Sequence, residues 1–240
     1  MNKKKLFIGI ALAIAVAAAA SFLIYTGVYY HADHSASAAL MSDENVAVIK
    51  TDYGWLFDGP SKEDALVFYP GGKVEEEAYA PFSRMLAEKG MDVCLVKMPL
   101  RLAFFGINKA GDVMKQHDYR NWYVGGHSLG GAMAAIYASG NGSRLEGVVL
   151  LAAYPTKPLE KNITVMSIYG SNDGVLNQAK LSEGRKCVEG IYRECVIQGG
   201  NHAGFGSYGV QEGDGKAEIT AEEQQKKTAE FIIGEKGELS

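Results

Sequence analysis

The chain has 240 residues, 47% of them apolar, and a net charge of −4 spread along its length. That is enough for one α/β core of about 200 residues plus an appendage. The charges form no basic stripe and no aromatic–basic interleaving, which argues against nucleic acid as a partner.

The N-terminus differs in kind from the rest. Lys3-Lys4-Lys5 precede an uncharged stretch, Leu6 to Tyr30, rich in Ala, Ile, Leu and Val. A signal peptide carries an apolar segment of about 7–15 residues, whereas about 20 suffice to cross a bilayer as a helix. Residues 1–30 are therefore predicted to be a membrane anchor. Its cationic end stays in the cytoplasm, which places the rest of the chain outside the cell membrane. Ala36-Ser37-Ala38 resembles a small-x-small cleavage site, so a cleaved signal and a secreted product are the alternative. Either way the following domain is exported. Residues 31–45 are polar and rich in Ala and Ser, and are predicted to be a tether.

From residue 46 the chain reads as strands and helices in alternation. Val46–Thr51 and Trp55–Asp58 are predicted as a hairpin across Asp52-Tyr53-Gly54. Ala65–Tyr69 is a strand that stops at Pro70-Gly71-Gly72. Glu75–Lys89 is a helix with acidic residues in its first turn and Gly90 at its end. Met91–Lys97 is a strand and Asn108–Gln116 a short helix. Asn121–Gly125 is a strand leading into a turn and a small-residue helix. Leu145–Ala152 and Ile163–Tyr169 are continuous apolar strands. A helix near Val175–Lys186 precedes the strand Tyr192–Ile197. Thr220–Ile233 is a final helix, with Thr220 and Glu223 in capping-box spacing. Continuous apolarity in the central strands marks a sheet covered on both faces. The predicted fold is a doubly wound, mostly parallel α/β sheet with antiparallel N-terminal strands. It occupies residues 46–234, and 235–240 form a disordered tail.

The cysteines carry no metal motif. Cys94 lies inside a strand and reads as a buried apolar group. Cys187 and Cys195 flank Glu189-Gly190, and an exported location permits a disulfide between them, against two unpaired thiols. No Cys-x-x-Cys or histidine cluster suggests a metal, and no cofactor is implied.

The chemistry gathers at three strand ends, where open parallel sheets place their functional groups. Gly126-His127-Ser128-Leu129-Gly130 stands between a strand and a helix. A serine in so sharp a turn takes positive φ and needs very small residues two positions either side. In a chain with 29 glycines the pentapeptide alone is weak evidence, and the strand–turn–helix context gives it weight. Asp173 follows the next-but-one strand in Gly170-Ser171-Asn172-Asp173-Gly174. His202 follows the last strand in Gly199-Gly200-Asn201-His202-Ala203-Gly204. An unaided serine hydroxyl is a poor nucleophile. A neutral imidazole must take its proton, and a carboxylate must hold that ring in the right tautomer. Asp112 and Asp118 are the other nearby carboxylates, but they precede the serine. Of the remaining histidines, His31 and His34 lie in the tether, His117 precedes an unrelated strand and His127 packs inside the turn. Two amides are predicted to meet a developing oxyanion. They are Leu129 N and one from the loop after Ala65–Tyr69, with Gly72 favoured and Lys73 the alternative.

The order Ser128, Asp173, His202, with Gly125-Gly126-His127-Ser128-Leu129-Gly130-Gly131, resembles the α/β-hydrolase family over about Val46 to Ile233. Tyr69-Pro70-Gly71-Gly72-Lys73-Val74, Lys97-Met98-Pro99-Leu100 and Gly199 to Gly206 are similar to its small, lidless dienelactone-hydrolase branch. That resemblance implies a Ser128–His202–Asp173 triad and hydrolysis of carboxylic esters. Two departures stand out. Dienelactone hydrolases carry cysteine where Ser128 stands, which puts dienelactone itself in doubt as substrate. Pro70-Gly71 replaces the histidine-glycine oxyanion motif of many esterases. Only about ten residues join Leu145–Ala152 to Ile163–Tyr169, where many relatives insert a helical lid. The expectation is thus a shallow, open site for small-molecule esters with small or exposed acyl groups. Acyl transfer or thioester cleavage by the same triad, or a non-catalytic binding module, are the competing readings.

Overall fold

Side-chain alternation on strands that are apolar throughout explains the core. In β3 (Asp64–Tyr69), Leu66 and Phe68 face one buried cluster while Ala65, Val67 and Tyr69 face another. A strand buried on both faces needs no polar face, hence its continuous apolar run. The structure is a computed structural model that describes residues 3–239.

The other strands are β1 (Ala47–Lys50), β2 (Gly54–Asp58), β4 (Met91–Val96), β5 (Asn121–His127), β6 (Gly147–Leu151), β7 (Thr164–Gly170) and β8 (Tyr192–Ile197). They form one eight-stranded sheet in the order β1-β2-β4-β3-β5-β6-β7-β8. β1 pairs with β2, and β2 with β4, antiparallel; every pairing from β4 to β8 is parallel. The helices are α1 (Lys3–Gly27), α2 (His34–Ala39), α3 (Ala80–Glu88), α4 (Lys109–Met114), α5 (Leu129–Ala138), α6 (Gln178–Arg185) and α7 (Ala221–Leu239). Phe82 and Leu86 of α3, with Ala229 and Ile232 of α7, cover one face of the sheet. Ala110 and Val113 of α4, with Ala134 and Ala138 of α5, cover the other.

Several elements differ from expectation for identifiable reasons. The helix expected from Glu75 opens as a 3-10 turn (Glu76–Tyr79) and becomes α-helical only at Ala80. Pro81, which lacks an amide proton, sits in the first turn of α3, where none is needed. α6 starts at Gln178, capped by Asn177, because the Asp173 carboxylate has already taken the amides of Val175 and Leu176. Thr220 does cap α7, its hydroxyl accepting from Glu223 N at 3.1 Å.

The tether is docked rather than loose. Tyr30 bridges to Val74, Ala32 N donates to Glu75 Oε2, and Asp33 N donates to Ser207 O. Asp33 caps α2, and the Arg84 side chain binds Ala39 O, Met41 O and Asp43. The tail expected to be disordered from 235 continues α7 to Leu239, with Lys236 reaching the buried Asp64; Ser240 lies outside the described residues. All three cysteines are free. Cys195 packs on the α3/α7 face of the sheet, whereas Cys187 lines a pocket at the end of α6, so the two thiols belong to different layers. Burial pushes the Cys94 thiol up to about 12, which suits an inert core group.

Candidate active site

Ser128 stands between β5 and α5 with φ 52° and ψ −120°. Such a backbone costs a non-glycine residue about 1–3 kcal/mol and persists only where its surroundings impose it. Here they do: Ser128 N donates to Leu151 O at 2.9 Å, and Ser128 O accepts from Ala132 N at 3.0 Å. The flanking glycines admit the close approach. A Cβ on Gly126 would lie 2.4 Å from Tyr69 O, and one on Gly130 only 2.1 Å from the same oxygen.

The loops after β7 and β8 bring Asp173 and His202 together. His202 Nδ1 lies 2.9 Å from Asp173 Oδ2, with both side chains buried. An ionised carboxylate can only accept, so Nδ1 carries the proton and Nε2 presents a lone pair. That Nε2 is buried without a hydrogen-bond partner, in the pocket that Ser128 also lines. Asp173 cannot turn away, because its Oδ1 accepts from Val175 N at 2.9 Å and Leu176 N at 2.7 Å. The structure thus gathers Ser128, Asp173 and His202 at one site, whereas Asp112 pairs with Lys115 on the surface.

The amides expected at the oxyanion position are also adjacent. A Cβ on Gly72 would sit 3.0 Å from Leu129 Cδ2, so the two residues touch. Neither Gly72 N nor Leu129 N is engaged by another group among the described residues. Lys73 N, the alternative donor, is already used by Arg101 O at 2.8 Å.

Two supports of the site were not recognised in the sequence. The first is Asp214, in the turn Gly213-Asp214-Gly215 beyond the histidine. Its Oδ1 accepts from Gly174 N and His202 N, each at 3.1 Å, and its Oδ2 from Ala203 N at 2.8 Å. One carboxylate therefore ties the Asp173 loop to the His202 loop. A glycine-flanked aspartate a short way past the histidine is too common a pattern to announce this. Asp214→Ala leaves those amides unpaired and frees both loops. We expect kcat on any ester turned over to fall about 100-fold, as for a misplacement near 1 Å. Steady-state kinetics of Asp214→Ala beside Asp214→Asn check this, with Asn keeping one acceptor and part of the rate.

The second support is the pair Tyr79 and His127. Tyr79 OH accepts from Gly71 N at 3.0 Å and lies 2.8 Å from His127 Nδ1, fixing the loop that carries Gly72. Burial holds the Tyr79 phenol well above its ordinary pKa, so it keeps its proton. His127 stacks against His202 with ring centroids 4.5 Å apart. Its complete burial, then the neighbouring His202, hold His127 well below the ordinary imidazole range. The unfolded chain takes up a proton at this histidine as pH falls through about 6.5 while the folded protein does not, so stability is lost below that pH. Thermal melts from pH 7.5 to 5 should show wild type losing about 1 kcal/mol more per pH unit than His127→Gln.

The pocket encloses about 700 Å³. It is walled by Ala153, Tyr154 and Pro155 after β6, Leu176 after β7, and Lys180 and Gly184 of α6. No lid helix separates β6 from β7, and α6 with the loop before it forms one wall of the site. Among the described residues no group of three His, Cys, Asp or Glu is gathered to hold a metal ion.

An eight-stranded, mostly parallel α/β sheet with a strained serine after β5 and an acid–histidine pair after β7 and β8 defines a hydrolase class. The chain belongs to the alpha/beta hydrolase family, whose model matches residues 65–226. Among solved structures it is similar to Est1E from Butyrivibrio proteoclasticus, with 15% identity and a TM-score of 0.56 over 81% of this chain and 100% of that one. It is similar to esterase 2 of Thermogutta terrifontis, with 14% identity and a TM-score of 0.57 over 82% and 97% of the two chains. Dienelactone hydrolase from Anabaena variabilis shares 13% identity and a TM-score of 0.51 over 80% and 95%. At these identities the likeness is one of fold. No curated protein matches the chain in sequence.

Proposed function

We propose that this protein is a serine esterase of the alpha/beta hydrolase family that cleaves carboxylic esters through an acyl-enzyme. The observation that carries the reading is the buried His202–Asp173 pair at 2.9 Å, whose unpartnered Nε2 shares a pocket with the strained Ser128. Ser128 Oγ attacks the ester carbonyl and its proton passes to His202 Nε2. Asp173 holds the ring and offsets the imidazolium charge. The amides of Leu129 and Gly72 bind the developing oxyanion. The tetrahedral intermediate collapses, the alkoxide leaves with the proton from His202, and an acyl-Ser128 ester remains. Water, deprotonated by His202, then attacks that ester, and Ser128 recovers its proton as the acid departs. The domain, residues 46–234 with α7 continuing to Leu239, works outside the cell membrane with α1 as anchor, flanked on its cytoplasmic side by Lys3-Lys4-Lys5.

Support for hydrolysis over acyl transfer comes from the lidless pocket, which water reaches without a closing segment. An esterase of this fold is phosphonylated by sarin, which suggests the direct test. A fluorophosphonate probe should add to Ser128 stoichiometrically, with the adduct mapped by mass spectrometry. Turnover of p-nitrophenyl esters from acetate to palmitate should accompany it. A folded protein that takes no probe and turns over no ester would be a binding module instead.

A further inference from the structure

The end of α1 meets the domain beside the proposed active site, and the manner of that meeting bears on where the substrate comes from. Residues 7–27 form an apolar helix long enough to cross a membrane, its side chains exposed on the protein surface except for Thr26 near its end. Only three residues beyond Gly27, Tyr30 N donates to Lys73 O at 2.8 Å and Tyr30 O accepts from Glu75 N at 2.9 Å. So short a link spans at most about 10 Å. The loop that holds Gly72 is thus tied close to where the helix leaves the bilayer.

The loop after β4 lies alongside the helix itself. Phe105 packs edge-to-face on Phe22, ring centroids 6.2 Å apart. Phe22 precedes Gly27 by five residues, about 8 Å of helix rise. Any group beside Phe22 shares its depth. Leu100, Phe104 and Phe105 are nevertheless 43%, 43% and 49% exposed on the protein surface. Two basic groups lie on tyrosine rings where α1 ends. Lys73 Nζ lies 4.1 Å from the Tyr25 ring centroid, and the Arg101 guanidinium 3.3 Å from that of Tyr29. Tyrosines with cations beside them are characteristic of the headgroup layer. Leu100 and Arg101 both hold left-handed backbone conformations, φ 53° and 57°, a cost the loop bears at its exposed tip.

We propose that the loop 99–107 is seated in the bilayer that α1 crosses, so that the pocket works at the lipid–water interface and takes amphiphilic esters from it. The proposal rests on the reading of α1 as a membrane anchor and of the site as an ester hydrolase. The occupant of the apolar tip is lipid rather than a second copy, because the covalently attached helix already holds the tip at hydrocarbon depth. Delivery follows from the sheet order. The loops after β4, β3 and β5 lie side by side at the C-terminal ends of neighbouring strands, so the strand ends that carry the seated loop and Ser128 are about 10 Å, two strand spacings, apart.

The test uses the full chain reconstituted in phosphatidylcholine–phosphatidylglycerol vesicles. Phe105→Trp should lose emission in vesicles of acyl-chain-brominated lipid, beyond the loss shown by wild type with its own Trp55 and Trp122. Phe104→Ser and Phe105→Ser, both at exposed positions, should raise KM for a vesicle-borne ester about tenfold. Their kinetics on soluble p-nitrophenyl acetate should not change. Absence of bromine quenching, with the chain still in the pellet after alkaline carbonate, overturns the seating and leaves the anchor intact. A blue-shifted emission gained with Phe105→Trp but insensitive to bromine also overturns it, in favour of a second copy over the loop. Release by carbonate overturns the anchor and the proposal together. Quenching with no turnover of either ester overturns the hydrolase reading and the interfacial substrate with it.

Discussion

Ser128→Ala will lower kcat/KM for p-nitrophenyl esters by about 10⁶-fold, to the level that substrate binding and the oxyanion amides sustain alone. The variant should remain folded, since Ala fits within the volume that Ser occupies in the turn. The His202–Asp173 pair does not depend on the hydroxyl. Ser128→Gly makes the companion measurement. It loses the same activity, yet relieves a positive-φ backbone that Ser128 holds at φ 52°, and should gain about 1 kcal/mol of stability. An inactive protein that is more stable than wild type is the signature of strain maintained for function. Retention of more than a tenth of the activity in Ser128→Ala would remove Ser128 from the nucleophile role.

Gly130→Ala will unfold the site rather than tune it. In a helix, Ala is normally favoured over Gly by about 1 kcal/mol. At this position the added Cβ would lie 2.1 Å from Tyr69 O and 2.3 Å from Pro70 O, both backbone atoms that cannot swing aside. The collision outweighs the propensity. We expect a loss of about 4 kcal/mol, near the upper end for single substitutions, and a fall in Tm of about 12 °C. Differential scanning calorimetry beside Gly140→Ala checks this, because a Cβ at Gly140 meets nothing closer than Tyr137 O at 4.0 Å. Equal Tm values for the two variants would mean that the turn adjusts and that Gly130 is not required by packing.

Much of the site was legible because its chemistry is local. Ser128 declares itself through glycines at fixed offsets, since the contact that demands them lies within the turn and the strand end beside it. His202 and Asp173 each follow an apolar run, and a parallel sheet carries its loops to one edge whatever the lengths between. Asp214 was not legible, because it acts through backbone amides of two distant loops and an amide leaves no trace in residue type. The Tyr79–His127 bridge was hidden for a related reason: its partners lie 48 residues apart and meet only when α3 packs on the sheet.

The sequence by itself determined the order of strands and helices, the double-sided burial of the sheet and the serine turn, because these leave marks in residue periodicity and in the glycines spaced either side of Ser128. Tertiary structure alone decided the rest. It docked residues 31–45 on the domain, carried α7 on to Leu239, kept Cys187 and Cys195 in separate layers, and committed the Lys73 amide to Arg101. Each of those outcomes depends on a partner far away in the chain, so side-chain type and spacing hold no record of it.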